Sequence, residues 1–164
     1  FIAAWASVDR DNPWQRKLPI PQGAINKEMG VCYDLLPTIT DFVDVPIPSR
    51  HAVDGQNLRL RLLGKEDNNY RNTFLTHFPH EHRNKHFTTY RLEQWKLIYN
   101  YNPATEIPDY QLYNMEKDLS ESNNLSQSHP EKLQVMVRAM SQELEAMDAL
   151  YPVRGTEVLK PVIP

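Results

Sequence analysis

The stretch Gln94-Trp95-Lys96-Leu97-Ile98-Tyr99-Asn100-Tyr101 alternates: Trp95, Leu97, Tyr99 and Tyr101 fall on one face at period two, the pattern of a half-buried β-strand. Immediately upstream, residues 86–92 form a second β-prone run, and the near absence of intervening residues predicts a tight antiparallel hairpin. Thr73–Phe78 and residues 110–115 are two further runs of the same kind. In the last of them Tyr110, Leu112 and Asn114 share one face, and Gln111, Tyr113 and Met115 share the other. Beyond them, Leu133, Met136, Val137, Met140, Leu144, Met147 and Tyr151 recur at helical spacing, which predicts a helix over residues 131–150. Ser128 with Glu131 matches a capping box, and Pro130 suits a first helical turn. Methionines on that stripe read as core packing, since Met fills irregular gaps. The four runs are expected to form one antiparallel sheet carrying the helix.

The segment before the sheet has a different character. The chain opens on the apolar run Phe1-Ile2-Ala3-Ala4-Trp5-Ala6, too short for a signal h-region and lacking a basic lead-in. It reads as a buried strand of a larger parallel sheet whose other strands lie upstream, which makes the chain a piece of a longer protein. Residues 9–23 are polar and proline-rich, predicting an extended surface connection. Val31, Leu35, Leu36, Ile39, Phe42 and Val43 recur at helical spacing, with Pro37 tolerable only near a first turn, so a helix should begin near Asp34 or Leu35. Pro46 and Pro48 end it, Asp54-Gly55 marks a turn, and residues 58–63 alternate leucine with arginine before a loop over 64–72. The tail, residues 153–164, is expected to lie extended over the surface.

Composition sets outer bounds. The 164 residues are 40% apolar and 24% charged, with a net charge of −3, so neither nucleic acid nor an acidic membrane is an expected partner. No apolar run approaches the roughly 20 residues of a bilayer span. Thirteen prolines against five glycines predict stiff, extended connections. The single cysteine, Cys32, permits no internal disulfide and reads as a small buried residue near a helix start.

Several strings together resemble the late portion of the type I, formylglycine-dependent sulfatases of the alkaline phosphatase superfamily. Asp34-Leu35-Leu36-Pro37-Thr38-Ile39 is similar to their Asp-Leu-Leu-Pro-Thr helix start, and Val45-Pro46 with Asp54-Gly55 to the stretch that follows it. Trp95-Lys96-Leu97-Ile98 resembles a strand of the same family. Tyr110-Gln111-Leu112-Tyr113-Asn114-Met115, with Asp118, Glu121, Asn124 and Leu125, resembles its Tyr-Glu-Leu-Tyr-Asn-Leu signature, with Gln111 for the usual Glu and Leu119 for the usual Pro. The resemblance implies an alkaline-phosphatase-like α/β fold for the parent and an α+β arrangement for this piece. Residues 1–64 would end the large α/β domain, residues 65–152 would form a small four-stranded antiparallel sheet with a C-terminal helix, and residues 153–164 a tail.

The same resemblance implies hydrolysis of sulfate esters, on a sulfated carbohydrate substrate, by a formylglycine and a divalent cation, usually calcium, in a periplasmic or secreted enzyme. Such chemistry needs a cation and donors to stabilise the charge that spreads over the leaving group. Pro46-Ile47-Pro48-Ser49-Arg50 imitates the Cys/Ser-x-Pro-x-Arg motif, yet Pro46 occupies the position of the oxidisable residue. Around Cys32, Asp34 and Leu36 stand where Pro and Arg are needed. No catalytic or metal-binding residue is carried onto this chain; those belong to the N-terminal catalytic portion of the same protein, the expected partner, and the piece alone is expected to be inactive.

One cluster remains. His77-Phe78-Pro79-His80-Glu81-His82-Arg83, followed by Lys85 and His86, places four of six histidines within ten residues. Zinc binding by His77, His80 and His82 lacks a fourth ligand. A plain solvated loop is a second reading. The third is a substrate-binding rim of His77, His80, His82 and Arg83 for an anionic sugar, because the resemblance implies that this loop faces the pocket mouth. Asn124-Leu125-Ser126 fits a glycosylation acceptor but lies inside the family signature and reads as structural. Competing functions are a phosphonate or phosphodiester hydrolase of the same superfamily, and a free-standing carbohydrate-binding module. An orphan apolar strand argues against the module.

Overall fold

The computed structural model describes residues 20–21, 23–80, 86–101 and 109–164. The expected strand at residues 1–6 lies outside the described residues, as do His82 and Arg83. The chain divides into two compact units between Arg71 and Asn72.

In the second unit the four β-prone runs form one sheet: β1 (Thr73–Phe78), β2 (Phe87–Leu92), β3 (Trp95–Asn100) and β4 (Tyr110–Asn114), in the order β1-β2-β3-β4 and antiparallel throughout. Only Glu93 and Gln94 join β2 to β3, and Glu93 takes φ 53°, the left-handed conformation a two-residue hairpin turn demands. The register aligns Leu75, Tyr90, Leu97 and Leu112 in a row across all four strands. Over that face packs the helix Pro130–Ala146, whose Leu133, Met136, Val137, Met140 and Leu144 are buried with Tyr90, Leu97, Tyr99, Tyr101 and Leu112 in one core. Each such fully buried side chain contributes about 1.5–3 kcal/mol relative to exposure.

The helix is shorter than its periodicity suggests. Pro130 stands at its first position as expected, but the N-cap is His129 without a side-chain cap, and Ser128 turns instead to the Leu125 carbonyl and the His129 ring. The Ser128–Glu131 capping box is therefore not formed. At the other end Met147 is the C-cap and Asp148 has φ 51°, which stops the helix before Leu150 and Tyr151. The tail has more structure than expected of it. A small hairpin pairs Val153–Arg154 with Glu157–Val158, Leu159 donates to the Pro152 carbonyl, and the Tyr99 and Tyr110 hydroxyls donate to the Lys160 and Val162 carbonyls.

In the first unit, a 3-10 turn (Cys32–Asp34) leads into α1 (Leu35–Phe42), and a single turn, α2 (Arg59–Leu62), follows. The 130–146 helix is α3. Pro37 sits in the first turn of α1, where its missing N–H has no partner to lose. The most deeply buried of its described side chains are polar. Asp34, 1% exposed, accepts from the Val31 N–H at 2.9 Å through one carboxylate oxygen and from the Gln56 N–H at 2.7 Å through the other. Thr38, 3% exposed, donates to the Asp34 carbonyl and accepts from the Leu58 N–H at 2.9 Å. Gly55 permits this closure, since a Cβ there would run into the Tyr33 carbonyl. Cys32, expected to be buried, is exposed: in its turn the inward position belongs to Asp34. Among the described residues no helix is long and apolar enough to cross a membrane.

Candidate functional site

The histidine cluster sits where β1 and β2 meet their connecting loop. Phe78 pairs with Phe87 at the end of the ladder, and their rings stack at 5.5 Å. His80 stands beyond that pair, exposed, its ring edge-on to Phe78 at 6.2 Å. His82 and Arg83 lie outside the described residues, and the two candidates that are described, His77 and His80, meet different neighbours.

His77 is committed inward. Its cross-strand partner is Thr88, and its Nδ1 lies 2.7 Å from the Thr88 hydroxyl while its Nε2 lies 2.6 Å from the Leu150 carbonyl oxygen. A carbonyl only accepts, so Nε2 carries the proton and donates. In the neutral ring Nδ1 then accepts the Thr88 proton, and the Tyr101 hydroxyl, 2.9 Å from Thr88, must donate to it. The chain of donors runs one way, from Tyr101 through Thr88 and His77 to Leu150. Thr88 and Tyr101 are 0% and 1% exposed, and burial pushes the Tyr101 phenol well above its ordinary range, which keeps it a donor. Tyr101 and Tyr151 each present an edge-to-face contact to the imidazole, at 6.0 and 5.8 Å. His77 thus fastens the segment after α3 to the sheet, and it meets a ligand only by giving up Thr88 or Leu150.

Thr88 and Tyr101 were not singled out in the sequence, although parity offers the signal. His77 shares its strand face with Thr73 and Leu75, the face that α3 covers; the alternate positions Phe74, Thr76 and Phe78 point the other way.

The signature downstream of β4 is also internal bonding. The Asn124 side chain accepts from the Leu112 and Ser126 N–H groups and donates to the Tyr110 carbonyl, which accounts for the sequon-like string. The Asp118 carboxylate accepts from Ser122 and Asn123 N–H groups, which holds it below the usual carboxylate range. Glu121 pairs with Lys96 at 2.6 Å. In the first unit Arg61 pairs with Glu28 at 2.6 Å and stacks 3.9 Å over the Tyr70 ring. Among the described residues no three His, Cys, Asp or Glu side chains gather closely enough to hold a metal ion.

Residues 12–149 match the family described as N-sulphoglucosamine sulphohydrolase, C-terminal. Over 111 residues, 65% of this chain, the sequence is 31% identical to a protein of Bacteroides thetaiotaomicron named N-acetylglucosamine-6-O-sulfatase. A protein solved in complex with its substrate D-glucosamine-2-N,6-O-disulfate superposes with a TM-score of 0.53 at 26% identity, over 70% of this chain and 24% of that one. Ps i-CgsB, solved with k-i-k-neocarrahexaose, superposes with a TM-score of 0.52 at 25% identity, over 76% of this chain and 26% of that one. The chain spans 19% of the length of the curated relative it matches.

Proposed function

The chain belongs to the family of sulfatase C-terminal regions that its residues 12–149 match, and from that premise we propose that it completes an enzyme hydrolysing sulfate esters of a carbohydrate. The observation that carries this reading is the 31% identity, over 111 residues, to a protein named as a sulfatase of an amino sugar. The substrate named for the glucosamine disulfate complex is of the same chemical class.

Catalysis belongs to the N-terminal portion. Formylglycine and calcium, implied by the sulfatase resemblance, do not fit the residues here. Pro46 cannot be oxidised to an aldehyde, and Cys32 lacks the neighbours of the motif. Both carboxylate oxygens of Asp34 are occupied by backbone N–H groups, and the described residues hold no other candidate ligand cluster. A bare 164-residue chain should therefore show no turnover.

The contribution of this chain is a rim. His80, His82 and Arg83 contact the sugar beyond its reacting sulfate, on a loop whose root is held by His77. Support comes from the loop's charge and from the two-sided anchoring of His77, which fixes the strand end from which the loop departs. Arg supplies a planar fork for sulfate or carboxylate, and histidine donates to hydroxyls.

The test uses the complete open reading frame. Release of sulfate from N-acetylglucosamine 6-sulfate or disulfated glucosamine is expected; hydrolysis of a phosphonate monoester with no sulfate release would refute the reading. For the rim, His80→Ala, His82→Ala and Arg83→Ala should each lower kcat/KM on a sulfated oligosaccharide by about 1–3 kcal/mol. A small aryl sulfate should change far less. Equal losses on both substrates would remove the rim from the proposal.

A further inference from the structure

The segment after α3 is fastened to the sheet through its own carbonyls. The register places His77, Thr88, Tyr99 and Tyr110 in a single row that crosses all four strands. Three side chains of that row, on β1, β3 and β4, donate to the segment's backbone. The His77 Nε2 meets the Leu150 oxygen at 2.6 Å, the Tyr99 hydroxyl meets that of Lys160 at 3.3 Å, and the Tyr110 hydroxyl meets that of Val162. The fourth, Thr88, holds the other nitrogen of His77. The acceptors follow the strand order, Leu150 over β1, then Lys160 and Val162 over β3 and β4. Between them residues 153–158 form the small hairpin, closed by the Leu159 N–H on the Pro152 carbonyl. Pro161 keeps Lys160 extended. Two extended residues cover about 7 Å, enough for the step of about 4.8 Å between adjacent strands, and their carbonyls recur on one side. Tyr151 and Leu159 pack against the core, while the Lys160 and Val162 side chains are exposed. At those two positions the sheet holds backbone and not side chain.

We propose that residues 150–162 are a strap that fixes one end of the sheet, and that Tyr99 and Tyr110 are positioning residues for the candidate site at His77 and His80. The row lies where β1 and β3 finish and β2 and β4 begin. His80 and His86 flank the β1–β2 connection at that end, and the Asn100 and Tyr101 N–H groups close it on the Asp109 and His86 carbonyls. Each strap bond is modest by itself. Donors on three strands tied to one backbone act together, because a strand that shifts against its neighbours must release the strap. A phenol or imidazole anchors a carbonyl whatever side chain the strap carries there, so the tie selects a position along the chain and not a residue type. The opposite end of the sheet is closed separately, by the Glu93 N–H on Asn72 and the Met115 N–H on Gln94. The positioning role rests on the functional reading given above; the strap does not.

Amide exchange in the complete polypeptide tests the strap, and steady-state kinetics test the positioning. The double variant Tyr99→Phe with Tyr110→Phe keeps both rings and removes both donors. In it the Asn100 and Tyr101 amides should exchange about tenfold faster, while Glu93 and Met115 keep their rates as an internal reference. Lys160→Ala and Val162→Ala retain the carbonyls and should exchange like the parent. In the double variant KM for a sulfated oligosaccharide should rise severalfold, with a smaller change in kcat and a smaller rise in KM for a small aryl sulfate. Acceleration at both ends of the sheet together, or at neither, would overturn the strap, as would equal loosening by Lys160→Ala. The expected exchange contrast with an unchanged KM would overturn the positioning role. A polypeptide that releases no sulfate would still show the exchange contrast, so failure of the functional reading is distinct from failure of the strap.

Discussion

The two units solve the problem of burial in opposite ways. From Asn72 onward, the apolar faces of sheet and helix meet each other, and side chains such as Leu97, Met136, Met140 and Leu144 are 0% exposed. Among the described residues up to Arg71, the best-buried groups are a carboxylate and a hydroxyl, while aliphatic side chains of α1 stand in solvent. Hydrogen bonds alone contribute little net stability, because the unfolded chain bonds to water. The described part of the first unit therefore draws less on apolar burial than the second, with only Leu58 and Tyr70 buried among its large apolar side chains.

The contrast can be broken most directly in the cores. Leu97→Ala should destabilise the second unit by about 2–5 kcal/mol, read as a shifted denaturation midpoint, whereas Ile39→Ala in the same chain should change stability by no more than about 0.5 kcal/mol. Similar losses would mean that the Ile39 side chain is covered after all. Asp34→Ala comes next, at about 3 kcal/mol confined to the first unit, because two N–H donors lose their acceptor. Amide exchange at Val31 and Gln56 should accelerate while β3 amides keep their protection.

Alkali sharpens the same contrast more gently. Burial is the leading cause that pushes Tyr90 and Tyr110 up to about 12, with Tyr99, Tyr101, Tyr113 and Tyr151 of the same unit also raised. Unfolded phenols titrate near 10 and lose their protons first, so the second unit's stability is complete below about pH 10 and declines as pH climbs toward 12. A midpoint unchanged between pH 9 and 11 would contradict this burial. The smallest effect belongs to the half-exposed Lys96–Glu121 pair, where Glu121→Gln should cost at most about 1 kcal/mol and less at high salt.

Much of the second unit was legible because both its periods are strong. Alternation at Trp95, Leu97 and Tyr99 marks a strand, and the Leu133-to-Leu144 stripe marks its helix. Their ends were less visible. The left-handed turn at Asp148, which stops α3, has no glycine to announce it, and His129 caps a helix that Ser128 seemed placed to cap. In the first unit the period of α1 is equally plain, but a hydrophobic pattern names a face and not what covers it. The burial of Asp34 was hidden because its two amide partners, at Val31 and Gln56, are brought together only by folding. Within the candidate site, residue types alone suggested a charged rim. The parity of His77 along β1 was the overlooked signal, and it ties that ring to Thr88.

The meander order β1-β2-β3-β4 has a consequence for time as well as for stability. Every strand pairs with its neighbour in sequence, so no ladder waits for a distant segment, and loop-closure entropy is small at each step. Such a topology folds fast from its own residues, with the β2–β3 turn as a natural first event. Refolding of the second unit from denaturant is therefore limited by its own local turns and not by a search for a distant strand.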